Sequence, residues 1–194
     1  MKKENRAIVR GTIIENPKFF SVTKSDEYYM VKVNVLRKSG TADIIPVVIP
    51  RKNIDPNADY INMRINLDGQ LQTVRRDGHL IMYVFAISAD IYYNYDENEE
   101  DLNDILFTGV MKGTVIRKTG QKQIPIADVH FLSTKFFFPC IAWNKDAKKI
   151  KKSKRNTEMK VIGRFQSRDY TKVIEGEVKD KTASEISIQK LEIL

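Results

Sequence analysis

The densest group of side chains able to do chemistry lies between residues 145 and 155. Seven cations crowd into these 11 residues, and only Asp146 opposes them; they are Lys145, Lys148, Lys149, Lys151, Lys152, Lys154 and Arg155. A run of nearly one sign repels itself unless an anion lies nearby. Lysines bind phosphates by displacing their condensed counterions. The run therefore predicts phosphate contact, with a solvated helix face as the alternative.

A second set of polar side chains shares one predicted strand. Arg164, Gln166 and Arg168 are spaced two residues apart. Successive side chains of a strand point to opposite faces, so these three lie together, opposite Phe165. We expect this face to line a polar groove. Surface arginines in cross-strand ion pairs are the alternative.

Aromatic side chains stand close to these cations. In Phe136-Phe137-Phe138, alternation places Phe137 on the face opposite the other two rings, and one of the two faces must be core. Trp143, the only tryptophan, sits where a predicted strand meets a turn and the basic run. This position suits a half-exposed ring, or alternatively a lid over the end of a barrel. An exposed ring beside cations can stack on any base.

No arrangement of residues in the sequence predicts catalysis. Asp146 with Glu158-Met159-Lys160 faintly resembles the metal-binding set of some nucleases, but such short patterns are frequent by chance. His79 and His130 have no spacing with acids or cysteines that predicts a metal site or a triad. The sequence also lacks Gly-x-x-x-x-Gly-Lys-Ser/Thr, which cradles phosphates. We expect no enzyme, no cofactor and no metal.

The cationic surplus is confined to one part of the chain. The 194 residues carry a formal net charge of +8 and are 42% hydrophobic, an ordinary globular composition. Residues 1–95 hold 14 Lys/Arg against 10 Asp/Glu, residues 96–104 hold none against 6, and residues 105–194 hold 19 against 9. The last segment will attract polyanions, so nucleic acid is the leading class of partner.

Cysteine usage and hydropathy indicate the compartment. Cys140 has no partner for a disulfide within the chain, which fits a reducing cytoplasm. No apolar run approaches the roughly 20 residues that span a bilayer, and Met1-Lys2-Lys3 leads directly into a strand-like segment. With nucleic acid as its partner, we expect a cytoplasmic, nucleoid-associated protein that is neither exported nor inserted into a membrane.

The two halves of the chain repeat one unit. Three segments recur in the same order at offsets of 98, 93 and 94 residues. These are Ile8-Val9-Arg10-Gly11 with Leu106-Phe107-Thr108-Gly109, Ile45-Pro46-Val47-Val48-Ile49 with Phe138-Pro139-Cys140-Ile141-Ala142, and Asp68-Gly69-Gln70-Leu71-Gln72-Thr73 with Ile162-Gly163-Arg164-Phe165-Gln166-Ser167. Three ordered matches at near-constant spacing indicate a tandem duplication.

Each unit is predicted to contain five short strands bounded by turn residues. They are 7–14, 28–36, 43–49, 65–74 and 80–91, then 105–114, 124–132, 136–143, 159–168 and 182–191. A short helix, with Asn144 as its possible cap, precedes the fourth strand of the second unit. We predict an all-β chain of two tandem OB-folds, five-stranded Greek-key barrels with at most one short helix each. An SH3-like barrel or a small sandwich would show similar patterning.

The predicted domains follow from the repeat and from the charge. Residues 1–95 form an N-terminal OB-fold, 96–104 an acidic linker that stays solvated, and 105–194 a C-terminal OB-fold. The linker has almost no apolar residues with which to pack a core. Because its charge is opposite to that of the C-terminal half, we expect it to compete for the basic groove in the absence of a ligand.

The C-terminal unit resembles the bacterial single-stranded-DNA-binding protein family. The segments that carry the resemblance are Gly163-Arg164-Phe165-Gln166-Ser167-Arg168-Asp169-Tyr170, Thr182-Ala183-Ser184-Glu185-Ile186-Ser187-Ile188 and Phe137-Phe138-Pro139-Cys140-Ile141-Ala142-Trp143-Asn144-Lys145-Asp146-Ala147. The resemblance implies an OB-fold that stacks bases of single-stranded DNA on exposed rings. The family's three stacking positions fall on Phe137, Trp143 and Tyr170. In the first unit their equivalents are Ile44, Pro50 and Arg76, none of them aromatic.

The binding set expected from these observations combines the three rings with cations and one amide. It comprises Phe137, Trp143, Tyr170, Lys145, Lys148, Lys149, Lys152, Arg164, Gln166 and Arg168. We expect sequence-nonspecific binding and protection of single-stranded DNA in replication, recombination or repair. The first unit is either an accessory surface using Tyr28, Tyr29, Arg75 and Arg76 or a packing partner in assembly.

Family analogy also predicts the state of assembly and the partners. Members generally join four OB-folds, so a homodimer of this chain is expected. Replication or repair proteins are further candidate partners. The chain ends at Leu194 directly after its last predicted strand, so their recruitment through an acidic tail is not expected. The alternatives are a primosome-type or RNA-binding OB-fold protein, and a structural protein-interaction module.

Overall fold

The computed structural model describes residues 4–93, 96, 99–120, 123–174 and 177–194, with side chains for all of these except 169–181. Over this part the chain is all-β with one α-helix, as predicted. The elements are β1 (Asn5–Val22), β2 (Glu27–Leu36), β3 (Ala42–Pro50), β4 (Arg64–Arg76), β5 (His79–Tyr92), β6 (Leu102–Thr119), β7 (Ile124–Ser133), β8 (Phe136–Trp143), α1 (Asn144–Lys152), β9 (Glu158–Ile174) and β10 (Glu177–Ile193). A single 3₁₀ turn covers Arg51–Asn53. No described helix is long and apolar enough to cross a membrane.

The strands pair in the same way twice. β1 pairs antiparallel with β2 and β4, β2 pairs with β3, and β4 pairs with β5. A short parallel contact between β3 and β5, at Val47 and Val84, closes this ring. In the second ring β6 pairs with β7 and β9, β7 with β8, and β9 with β10, and Cys140 and Ile186 make the parallel closure.

Alternating apolar residues fill the interior of each ring. The second ring of strands encloses four fully buried phenylalanine side chains, Phe107, Phe131, Phe138 and Phe165. Phe107 meets Phe138 edge to face with their centroids 4.9 Å apart. The first ring is filled by smaller aliphatic side chains, among them Ile13, Ile45 and Leu71. Burial of each such side chain stabilises the fold by roughly 1.5–3 kcal/mol. Because side chains alternate between the two faces of a strand, the face that carries these apolar residues becomes the core.

The two rings join through their first strands, about a pseudo-twofold axis. β1 pairs antiparallel with β6, and Ala7 lies opposite Ile105, its own equivalent at the offset of 98. Two further bonds obey the symmetry: the Ile44 amide donates to Ser167 Oγ (2.8 Å) and the Phe137 amide donates to Thr73 Oγ1 (3.2 Å). The two donors, Ile44 and Phe137, are 93 residues apart, and the two acceptors, Thr73 and Ser167, are 94 apart. The two hydrogen bonds are therefore equivalent under the internal repeat.

Helix α1 covers one end of the second ring, between β8 and β9. Ala147 and Ile150 are its buried contacts, three residues apart as expected for one helical face. The prediction of Asn144 as the cap was wrong. Trp143 occupies the cap position with no side-chain bond, and Asn144 already belongs to the helix with φ 47°.

The acidic segment is tied to the first unit, contrary to the expectation of a solvated linker. β6 already begins at Leu102, inside the predicted linker. Asp101 accepts a bond from Arg64 (2.5 Å), which is nearly buried, and Glu99 faces Arg10 at 3.3 Å. Glu99 and Asp101 thus neutralise arginines of the first unit and do not occupy a groove of the second. Buried arginines need such partners, and a count of charges along the chain does not reveal them.

Matched glycines in the two units allow strands to approach closely. A Cβ at Gly163 would lie 2.4 Å from the Ser187 carbonyl oxygen, and one at Gly69 would lie 2.4 Å from that of Phe85. Both contacts are with backbone, so neither can be relieved by turning a side chain. The repeat therefore preserves these glycines for closure of each ring.

Gly163→Ala is expected to destabilise the protein by about 2 kcal/mol, because the added methyl group forces β9 away from β10. The measurement is the free energy of unfolding in urea. Gly113→Ala is the matched control, since nothing lies within 4 Å of a Cβ there. Equal stability of the two variants would contradict the close approach at Gly163.

Candidate nucleic-acid interface

The outer face of β8 carries two of the predicted stacking rings. Phe138 faces the core, so alternation turns Phe137 and Trp143 outward together, as predicted. Trp143 is 43% exposed at the end of the strand. The two rings are six residues apart, or roughly 20 Å along the strand. They bracket a surface long enough for several nucleotides.

Phe137 is half-buried and has a partner that the sequence did not indicate. Its ring stacks on exposed His130 of β7, with the centroids 5.0 Å apart and the planes 20° apart. Leu132 of β7 is the register partner of Phe137, and His130 is the partner of Pro139. His130 is therefore a diagonal neighbour of Phe137 on the same face of the sheet. One face of the Phe137 ring is therefore already covered. A base would have to use the edge, the other face or the imidazole.

The three polar residues of β9 point outward, opposite fully buried Phe165, as predicted. They do not all enter one site. Arg168 is exposed and lines a depression of about 430 Å³ beside His130, whereas Arg164 lines a separate pocket against the first unit. Gln166 connects the two regions and accepts a bond from the Arg164 guanidinium (3.3 Å).

The same depression holds an acid that sequence reasoning missed. Glu185, on β10 opposite Gln166, is half-buried there. Burial raises the pKa of Glu185; the Arg168 charge lowers it, the Asp128 charge raises it and the Arg117 charge lowers it. Arg117 is itself held by Asp128 in a two-point ion pair (2.7 and 3.0 Å). Only the tertiary structure brings these groups together, because they come from four strands.

The lysines chosen from the basic run share the outer face of α1. With Ala147 and Ile150 buried, a helical period of 3.6 turns the four predicted lysines toward solvent, and Lys151 is exposed beside them; the four are Lys145, Lys148, Lys149 and Lys152. Lys149 also donates to the Leu191 carbonyl (2.9 Å) and lies 3.4 Å from Asp146. The helix starts directly after Trp143, so these ammonium groups continue the β8 face.

Tyr170, the third predicted ring, belongs to β9, where its backbone pairs with Lys181. Its side chain lies outside the described residues, and its role as a stacking platform stays a prediction. Within the described residues no group of three His, Cys, Asp or Glu is placed to hold a metal ion. Burial raises the pKa of Cys140, the one cysteine of the sequence.

The corresponding surface of the first unit is built differently. Ile44 and Pro50 replace the two β8 rings, and Arg76 stands at the position of Tyr170. The Arg76 guanidinium lies 4.1 Å above the ring of Phe20. That ring in turn packs on Tyr83 with a centroid distance of 5.1 Å. Phe20 of β1 and Tyr83 of β5 thus pack on each other, so these two aromatic rings already have partners.

Comparison with known proteins identifies a fold and no sequence family. No protein-family model matches the chain, and no curated protein matches it. Among solved structures, the wild-type single-stranded DNA binding protein from Thermus aquaticus matches with a TM-score of 0.77 and 14% identity, covering 100% of this chain and 94% of that one. A deletion mutant of the same protein gives 0.76 and 14%, with 100% and 95% covered. The resemblance seen in the sequence is thus confirmed at the level of the fold, which this chain shares along its whole length with that single-stranded DNA binding protein.

Proposed function

We propose that this protein binds single-stranded DNA through the second unit, without chemistry and without reading its sequence. One observation carries the proposal: the outer face of β8 aligns Phe137 and Trp143 between Arg168 on one side and the lysine face of α1 on the other. The protein that shares the fold is named as a single-stranded DNA binding protein. We further propose that both five-stranded rings are OB-folds, which bind oligonucleotides on this kind of face.

Aromatic stacking and electrostatic attraction both contribute to the free energy of binding. A base on an aromatic ring contributes roughly 1–3 kcal/mol whatever its identity, because every base has a π-face. Lys145, Lys148 and Lys152 neutralise phosphates, which adds affinity that falls with salt. Neither term discriminates between bases. The arrangement therefore suits coverage of a strand of any sequence, as protection during replication, recombination or repair requires.

The proposal assigns different roles to the two units. Residues 105–194 bind, while residues 1–95 are degenerate for binding, because Ile44, Pro50 and Arg76 replace the three expected rings and Phe20 packs on Tyr83. Leu102–Asp104 of the former linker belong to β6. The homodimer, the cytoplasmic location and the recruitment of replication or repair proteins stay predictions. Matched RNA and DNA oligomers in direct competition separate the RNA-binding alternative.

Trp143→Ala is expected to weaken binding of oligo-dT by about tenfold, the lower part of the range for loss of one stacked base. The measurement is fluorescence anisotropy of a labelled oligomer, together with quenching of Trp143 in the wild-type protein. Tyr93→Ala, which removes an exposed ring of the first unit, is the control. Unchanged affinity in the Trp143 variant and no quenching would reject the stacking site and favour a structural interaction module.

The double substitution Lys148→Gln and Lys152→Gln is expected to flatten the salt dependence. Each phosphate contact to single strands contributes about 0.7 to the slope of log K against log salt, so the slope should fall by about 1.4. Lys18→Gln with Lys24→Gln, on exposed lysines of the first unit, is the matched control. An identical slope for both double variants would place the phosphates away from α1.

Glu185→Gln is expected to tighten binding at neutral pH by about fivefold, since a nearby carboxylate repels phosphate by roughly 1 kcal/mol in high dielectric. Because burial raises the pKa of Glu185, the wild-type affinity should rise as the pH falls through a window above the usual glutamate range. The variant should lack that step. The two proteins differ only at residue 185, so the difference between their pH profiles is the measured quantity. A constant difference across pH would exclude Glu185 from the interface.

A further inference from the structure

The pseudo-twofold axis generates two pockets at the junction of the units, and one of them is lined by more charged side chains than the other. The charged pocket, about 330 Å³, is lined by Arg37, Lys38, Asp43, Asn103, Arg164 and Gln189 among others. Its twin contains Asn5, Gln70 and Phe136 at the positions of Asn103, Arg164 and Asp43. At the matched positions the charged pocket therefore has Arg164 and Asp43 where its twin has neutral Gln70 and Phe136. The charged residues that line the twin lie at other positions and are Glu4, Arg6 and Lys135.

The negative charge in the charged pocket is already committed. Asp43 is completely buried and holds the Arg37 guanidinium with both carboxylate oxygens, one bond measuring 2.7 Å. It also accepts from the Ser167 amide (3.2 Å) and lies 3.5 Å from the Asn103 side-chain nitrogen. Such a buried carboxylate with several donors has no capacity left for a second arginine. Asp43 thus fixes Arg37 at the rim without neutralising Arg164.

Arg164 is the unmatched cation of this region. Arg37 has Asp43, Lys38 has Glu100 at 3.3 Å and Arg64 has Asp101 at 2.5 Å. Arg164 has no carboxylate within ion-pair distance among the described residues. Its guanidinium makes one bond, to neutral Gln166, and its buried Nε has no hydrogen-bond partner in the described part of the chain. Burial and the charge of Arg37 lower the pKa of Arg164, the charge of Asp43 raises it, and the guanidinium remains protonated.

We propose that this junction pocket binds a phosphate of the single strand that leaves the groove of the second unit, with Arg164 and Arg37 as its cationic partners. The inference rests on the proposed function and extends it, because the first unit then contributes directly to the bound strand. A guanidinium with free donors facing a second cation is the arrangement that an anion between them stabilises. The twin pocket, with Gln70 in place of Arg164, should not bind phosphate.

Continuity of the surface selects the strand as the source of that phosphate. Arg164, Gln166 and Arg168 lie on one face of β9, and the two arginines are four residues or roughly 13 Å apart. Arg168 borders the depression beside His130, so a strand that contacts it and runs along β9 arrives at the junction. Lys38, whose side chain is highly exposed, stands on the far side. The strand would pass from the second unit onto the turn between β2 and β3.

The test compares wild type with Arg164→Gln, which gives the charged pocket the residue of its twin. A short oligo-dT of about 6 nucleotides fits on one OB-fold, whereas one of about 30 nucleotides must leave it. For the long oligomer we expect about tenfold weaker binding and a salt slope smaller by about 0.7, the share of one phosphate. The short oligomer should bind both proteins equally and quench Trp143 equally. Arg164→Lys should restore most of the salt slope, since it keeps the charge.

Two controls make the result interpretable. Arg6→Gln removes an arginine of the first unit that pairs with exposed Asp68, and it should leave both oligomers unaffected. Thermal unfolding without DNA shows whether the Arg164 variants are folded. An unchanged salt slope for the long oligomer in folded Arg164→Gln overturns the junction site, while Trp143 quenching by the short oligomer still upholds the proposed function. If the wild-type protein quenches with neither oligomer, the proposed function itself fails, and the junction site with it.

Discussion

The pairing of β1 with β6 is the interaction on which the arrangement of the whole molecule depends. Six register pairs, from Asn5 opposite Phe107 to Arg10 opposite Leu102, fuse the two rings into one continuous sheet. The same pairing satisfies the free edge of each first strand, which would otherwise be open to another chain. It also fixes where β9 meets β3 and where β8 meets β4, so the hydrogen bonds of Ser167 and Thr73 follow from it.

A symmetric scaffold carries an asymmetric set of side chains. Ile44 and Phe137 occupy equivalent places at the junction and make equivalent backbone bonds, yet only Phe137 offers a ring. In the first unit the aromatic residues lie on the hairpins, where Phe20 packs on Tyr83 under Arg76. The backbone contacts match in the two units because they depend on strand register, while the outward side chains differ because the fold does not constrain them.

Local neutralisation sharpens the difference in charge between the units. Glu99, Glu100 and Asp101 lie against Arg10, Lys38 and Arg64, so the acidic segment cancels much of the charge of the first unit. The lysines of α1 face solvent on the second unit with few acids near them. The exposed lysines of the second unit are therefore concentrated beside the β8 face, where the exposed ring of Trp143 stands.

The sequence by itself determined the features that depend on local periodicity and composition. Alternation placed Phe137 and Phe138 on opposite faces, spacing put Arg164, Gln166 and Arg168 on one face, and the repeat offsets located the equivalent positions in the two units. The tertiary structure alone decided which distant groups meet: His130 under Phe137, Glu185 beside Arg168, and Arg37 across from Arg164. It also moved the acidic segment from solvent onto Arg64. The physical reason is that period-two patterning specifies the face of a strand, whereas ion pairs and stacks between strands depend on register and closure, which are set by the packing of the whole chain.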